Sequence, residues 1–109
     1  MNDLQAQPVV SVELDKPRKL VFDFNALCEF ERVTGKNSLS ADLWTSTDAG
    51  TLRALLYAAL KTHHPEVTLQ EVGGMLNLGN AQAVTDALVE AFNRSASSES
   101  GGKKKAKAQ

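Results

Sequence analysis

The sequence predicts a mainly α-helical single domain: a small body of about four helices with a short N-terminal β-hairpin and a disordered C-terminal tail. Three observations predict it. Apolar residues alternate up to Phe24, then from Asn25 recur every three or four positions, so a strand period gives way to a helical one. Helix start and stop signals punctuate the stretch that follows. The last fifteen residues, SASSESGGKKKAKAQ, hold no aliphatic side chain larger than alanine and have nothing with which to build a core. The domain is placed at 9–94, with 1–8 as a flexible N-terminus and 95–109 as the tail.

Val9 to Leu14 alternates Val10, Val12 and Leu14 against Val9, Ser11 and Glu13, the pattern of a half-buried strand. Asp15-Lys16-Pro17-Arg18 is turn chemistry. Lys19 to Phe24 alternates again, with Leu20, Phe22 and Phe24 on one face, so the two runs predict a hairpin. A lone hairpin is marginal in water, so that face is expected to lie on the helices. Asn25 is the expected N-cap of the first helix, which carries Leu27, Phe30 and Val33 or Thr34 on one stripe and ends at Gly35. Residues 36–46 read as a polar connector around Leu39, Leu43 and Trp44.

Asp48 or Thr47 caps the strongest helix, 49–63, where Leu52, Leu55, Leu56, Ala59 and Leu60 form a core stripe and Pro65 stops the run. Thr68-Leu69-Gln70-Glu71 is a capping box. The helix it opens turns Leu69, Val72 and Leu76 inward and fades near Gly73, Gly74 and Gly79. Asn80 is placed to cap the last helix, whose Val84, Ala87, Leu88, Ala91 and Phe92 face one way and which is expected to end near Arg94.

Charge is unevenly spread. Residues 1–94 carry 12 acidic and 8 basic side chains, a charge of -4, whereas the last fifteen carry Glu99 and four lysines. An acidic body argues against nucleic-acid binding, which needs several cations converging on one face. The single cysteine excludes an internal disulfide. No apolar run approaches the ~18 residues of a membrane span, and Met1 to Pro8 lacks the basic and apolar parts of a signal peptide. The expectation is a soluble protein of a reducing cytoplasm, without nucleic-acid or membrane partners.

Candidate chemistry is sparse. Asp23 is expected on the outward strand face, and Glu29 and Glu31, two apart on a helix, diverge. Cys28 has no histidine near it in sequence and reads as a buried or half-buried small apolar residue. His63 and His64 are adjacent, which points them apart, and no Cys cluster or HExxH spacing accompanies them, so no metal site is assigned. No phosphate-loop motif exists, and Ser38, Ser40 and Ser46 lack a nucleophile-elbow context. With no catalytic, cofactor or metal residues assigned, an interaction module is the expectation rather than an enzyme. Two features suit binding. Trp44 is either a core plug or an anchor for a partner. Arg53, Tyr57 and Lys61 form an i, i+4, i+8 line bordered by Ala54 and Ala58, which would let a helix or a second copy approach closely.

The order of features, a hairpin leading into LVFDFNALCEFERVTG, then LRALLYAALKTHHPEVTLQEVGGML, then NAQAVTDALVEAF, resembles the small tail assembly chaperones of long-tailed bacteriophages and the related gene transfer agent protein. The resemblance spans roughly residues 10–93 and rests on pattern and order, not on a catalytic signature. It implies a non-structural assembly factor that coats the helical tape measure protein, keeps it soluble and recruits tail tube subunits. It also implies residence in the host cytoplasm and absence from the mature virion. Some members are made in a short and a frameshifted longer form. Gly101-Gly102-Lys103-Lys104-Lys105 is compatible with a slippery codon run, so the tail reads either as a short product's end or as a solvating linker. The alternatives from other classes are a connector or tail-completion protein retained in the virion, and an unrelated bacterial regulatory interaction module.

Overall fold

The computed structural model describes residues 9–45 and 47–100, the side chains of 41 and 97–100 excepted. The chain is mainly helical, with a two-stranded antiparallel hairpin at its start. The elements are β1 (Val10–Glu13), β2 (Pro17–Leu20), α1 (Phe24–Thr34), a 3-10 turn (Ala41–Trp44), α2 (Ala49–Leu60), α3 (Leu69–Met75) and α4 (Ala81–Ser100).

The hairpin pairs Val10 with Leu20 and Val12 with Arg18. Its turn falls at Leu14-Asp15-Lys16, not at 15–18, because Pro17 opens β2 at the strand's first residue, where its missing N–H costs no ladder bond. Arg18 is thereby carried into the strand and buried at 5% exposure, with its Nε and Nη2 donating to both carboxylate oxygens of Asp15 at 2.9 and 2.8 Å. The outer edge of β2 is closed by the end of α2. Val21 N–H donates to the carbonyl of Ala59 at 3.1 Å, satisfying one of the last-turn carbonyls a helix leaves free, and Lys19 N–H donates to His64 Nε2 at 3.1 Å.

Four expectations at the strand-to-helix junction are corrected: the cap of α1, the setting of Asp23, and the burial of Phe24 and of Cys28. The N-cap of α1 is Asp23, not Asn25: its Oδ1 accepts from Ala26 N–H at 2.8 Å while Oδ2 accepts from the Thr62 hydroxyl at 2.9 Å. Two simultaneous acceptor roles favour the carboxylate two residues upstream. Asp23 therefore does not sit on an outward strand face. Because the helix starts at Phe24, that side chain leaves the strand alternation and is 71% exposed, while Phe22 stays in the core. Cys28, one turn after Phe24, is likewise exposed, since Ala26 and Phe30 form the inward stripe. Gly35 closes α1 at φ 73°, with its N–H on Glu31 O.

α2 is the central element. Residues 54–60 are all buried, because α1, α3, α4 and β2 pack around it. A helix enclosed on every side is apolar all round rather than striped. The capping box of α3 is formed, with Thr68 Oγ1 accepting from Glu71 N–H and Glu71 Oε1 accepting from Thr68 N–H. Before α4, Asn80's carbonyl takes the first helical bond from Val84, but its side chain turns back to Asn77 and Met75. α4 buries Val84, Leu88 and Ala91 and runs to Ser100 rather than ending near Arg94. Neither Gly nor Pro interrupts 95–100, and Ala and Ser there tolerate helix. The remainder of the expected tail, 101–109, and the N-terminus 1–8 lie outside the described residues.

Candidate functional site

The polar groups singled out by sequence are consumed locally and do not converge. Glu29 pairs with Arg32 on α1, which lowers its pKa. Glu31 Oε2 accepts from both Ser38 N–H at 2.9 Å and Ser38 Oγ at 2.8 Å; these bonds lower its pKa and pin the connector to α1. Ser40 caps the 3-10 turn through a bond from Asp42 N–H. Ser46 lies outside the described residues. His64 is held by Lys19 N–H at Nε2, with Arg18 Nη1 3.2 Å from Nδ1, and burial followed by the Arg18 charge lowers its pKa. Its ring faces β2 and not a shared centre with His63. Among the described residues no group of three His, Cys, Asp or Glu side chains is arranged to hold a metal ion, and no helix is long and apolar enough to cross a membrane.

Trp44 is half-buried in a three-ring cluster. Its ring centroid lies 6.4 Å from Phe22 and 5.7 Å from Phe92, and Phe22 and Phe92 are 5.8 Å apart, all at edge-on angles of 62–82°. These contacts tie the 3-10 turn to the strand-to-helix junction and to α4. They are the contacts of a core plug.

The Arg53–Tyr57–Lys61 line does not present one open face. Tyr57 is buried at 9% exposure beside Glu29 and Arg32 of α1, and Lys61 Nζ lies 5.2 Å from its ring centre. Ala54 and Ala58 are themselves fully buried within this chain, where α1 and other elements pack around α2, so they offer no open face to a second helix. Arg53 is the exposed member of the three, and it borders the cleft toward Val33 and Thr34 at the end of α1 as well as the α3 side. Its aliphatic stem crosses Gly73 of α3, where an added Cβ would stand 3.1 Å from Arg53 Cδ.

Arg53 opens onto a groove of about 520 Å³ between α2, α3 and the start of α4. Leu52 and Leu76 supply the apolar lining, Ala49 and Ala81 the low walls, and Leu78 stands fully exposed at the rim. The size falls within the roughly 300–1,000 Å³ of common ligand sites, and the lining is chiefly apolar. Leu78 sits on a fastened turn: Asn77 N–H donates to Asn80 Oδ1 at 2.8 Å and Asn80 N–H to Asn77 Oδ1 at 2.9 Å. Sequence reading passed over Leu78 because it lies off every helical stripe. The available signal was a large apolar residue inside a turn sequence, Asn77-Leu78-Gly79-Asn80.

No family model, no curated protein and no solved structure matches this chain.

Proposed function

We propose that the chain is a tail assembly chaperone of a long-tailed phage, which binds the tape measure protein, keeps it in solution and helps bring tail tube subunits to it. The observation that carries the binding role is the open groove beside a fully exposed Leu78 on a hydrogen-bonded turn, in a body whose other candidate polar groups are used in caps and ion pairs. The ordered segments from LVFDFNALCEFERVTG to NAQAVTDALVEAF supply the partner, through their resemblance to the chaperone group.

The physics is coherent with that role. A long helix with an apolar stripe is an aggregation hazard until covered. An apolar groove takes such a stripe by helix-in-groove recognition, and many small copies, each bound weakly, cover it reversibly. On this reading the protein works in the host cytoplasm and leaves before the particle is complete.

The test is co-expression with the long helical protein encoded next to it. Retention of that protein in the soluble fraction and co-purification are expected. Failure of both overturns the reading. Finding this chain by mass spectrometry in finished particles would instead make it a structural tail component.

A further inference from the structure

We propose that the groove between α2, α3 and α4 takes an amphipathic helix that carries a carboxylate beside its apolar stripe, with Leu78 as the apolar anchor and Arg53 as the partner of that carboxylate. The inference rests on the reading that this chain covers helices, and it adds which helices and by which residues.

The charge argument comes from a contrast among the arginines. Arg18 is paired with Asp15, Arg32 with Glu29 and Arg94 with Glu90. Arg53 has no carboxylate partner among the described residues, and it is the one charged side chain lining the groove. Its stem passes over Gly73, where the absence of a side chain leaves room for it. A guanidinium positioned at the edge of an apolar surface and left without an anion is complementary to a carboxylate on whatever covers that surface. An arginine head offers a planar fork to such a group, so one Asp or Glu on the incoming helix would be bound in two places.

The anchor argument comes from Leu78. A leucine with its whole surface in water gives nothing to this fold, and the reciprocal Asn77–Asn80 bonds already hold its turn in shape. Burying it under a partner recovers the full transfer free energy with little loss of chain freedom, which is the mark of a preorganised contact. Apolar side chains one turn apart on the incoming helix would meet Leu78 and then Leu52 or Leu76, with the carboxylate offset towards Arg53.

The experiment uses the full chain and two synthetic helical peptides with the same leucine stripe, one flanked by glutamates and the other by lysines. Binding is followed by fluorescence anisotropy at about 0.15 M salt, where the net negative charge of the body is largely screened and the short-range contact with Arg53 decides. The expected result is a preference of about tenfold for the glutamate peptide. In Arg53→Glu the preference reverses, and in Arg53→Met it vanishes. Leu78→Asp weakens both peptides at least tenfold while leaving the circular dichroism spectrum and unfolding midpoint unchanged, since the site is fully exposed. Equal binding of both peptides, or binding indifferent to Leu78→Asp, overturns the proposal. Concentration-dependent dimerisation that Leu78→Asp abolishes gives the groove to a second copy and also overturns it.

The two readings fail separately. If neither peptide binds but the co-expressed helical protein stays soluble, the groove assignment falls and the chaperone reading stands. If the peptides behave as expected and the helical protein still precipitates, the groove stands and the chaperone reading falls.

Discussion

His64 and Arg18 face each other across the seam between α2 and the hairpin, with Nδ1 and Nη1 3.2 Å apart while His64 Nε2 accepts the Lys19 N–H. A neutral imidazole has one lone pair, and here two donors face the ring. Adding a proton removes the Lys19 bond and puts a second cation beside Arg18. Lys16 and His63 add to the positive side and Glu66 opposes it. The folded pKa lies below the ordinary value, so between these two values the unfolded state binds more protons and stability falls as pH drops below about 6.5. Urea midpoints at pH 7.5 and 5.5 should show this loss, and His64→Gln should flatten it. A second limb belongs to carboxylates. Asp15, lowered to about 2 chiefly by its bonds from Arg18, contributes stability above the usual carboxylate range that disappears as pH falls below about 4.

Trp44 is the chain's one tryptophan, so its fluorescence reports on the ring cluster alone. Emission should be blue-shifted in the folded protein and move to the red on unfolding. A double-mutant cycle of Trp44→Leu and Phe92→Leu should return a coupling of about 0.5–1.5 kcal/mol, the range for edge-on aromatic pairs. A coupling near zero would mean that the edge-on contact with Phe92 does not hold Trp44 in the core.

Ser38 is buried at 2% exposure with both its donors on one carboxylate oxygen of Glu31. Glu31→Ala strands those donors and should lower the chemical-denaturation midpoint. Adding Ser38→Ala to it should recover part of the loss, because one of the stranded donors is then absent.

Gly35→Ala should destabilise by about 1–2 kcal/mol. No atom lies within 4 Å of the added Cβ, so the whole effect is the left-handed backbone at φ 73°. Thermal unfolding of the pair of proteins measures it, and an unchanged midpoint would mean that α1 ends differently in solution.

What was legible in the sequence was local. The hairpin, the capping box at Thr68, the Gly35 terminus and the core character of α2 each follow from residues a few positions apart. What was not legible depends on distant partners. Asp23 and Asn25 are both good caps, and the choice between them is settled by Thr62, 39 positions away. Tyr57 looks solvated on a helical wheel until α1 covers it. Arg53 was picked from the sequence for a line of exposed residues, yet its setting comes from Gly73 and the groove that α3 and α4 make with α2. The overrun of α4 past Arg94 has a different cause: residues that tolerate helix extend one that packing has already nucleated.

The bonds from Val21 to Ala59 and from Lys19 to His64 leave β2 with a closed outer side. On the proposed reading, many copies stand shoulder to shoulder along one long partner, at a local concentration far above that in the cell. A strand with free amides in that crowd would zip to its neighbour and turn a removable coat into a permanent one. With a helix end and a histidine occupying that side of the hairpin, the fold removes one route by which neighbours would lock together, and on that reading the coat would stay able to come off.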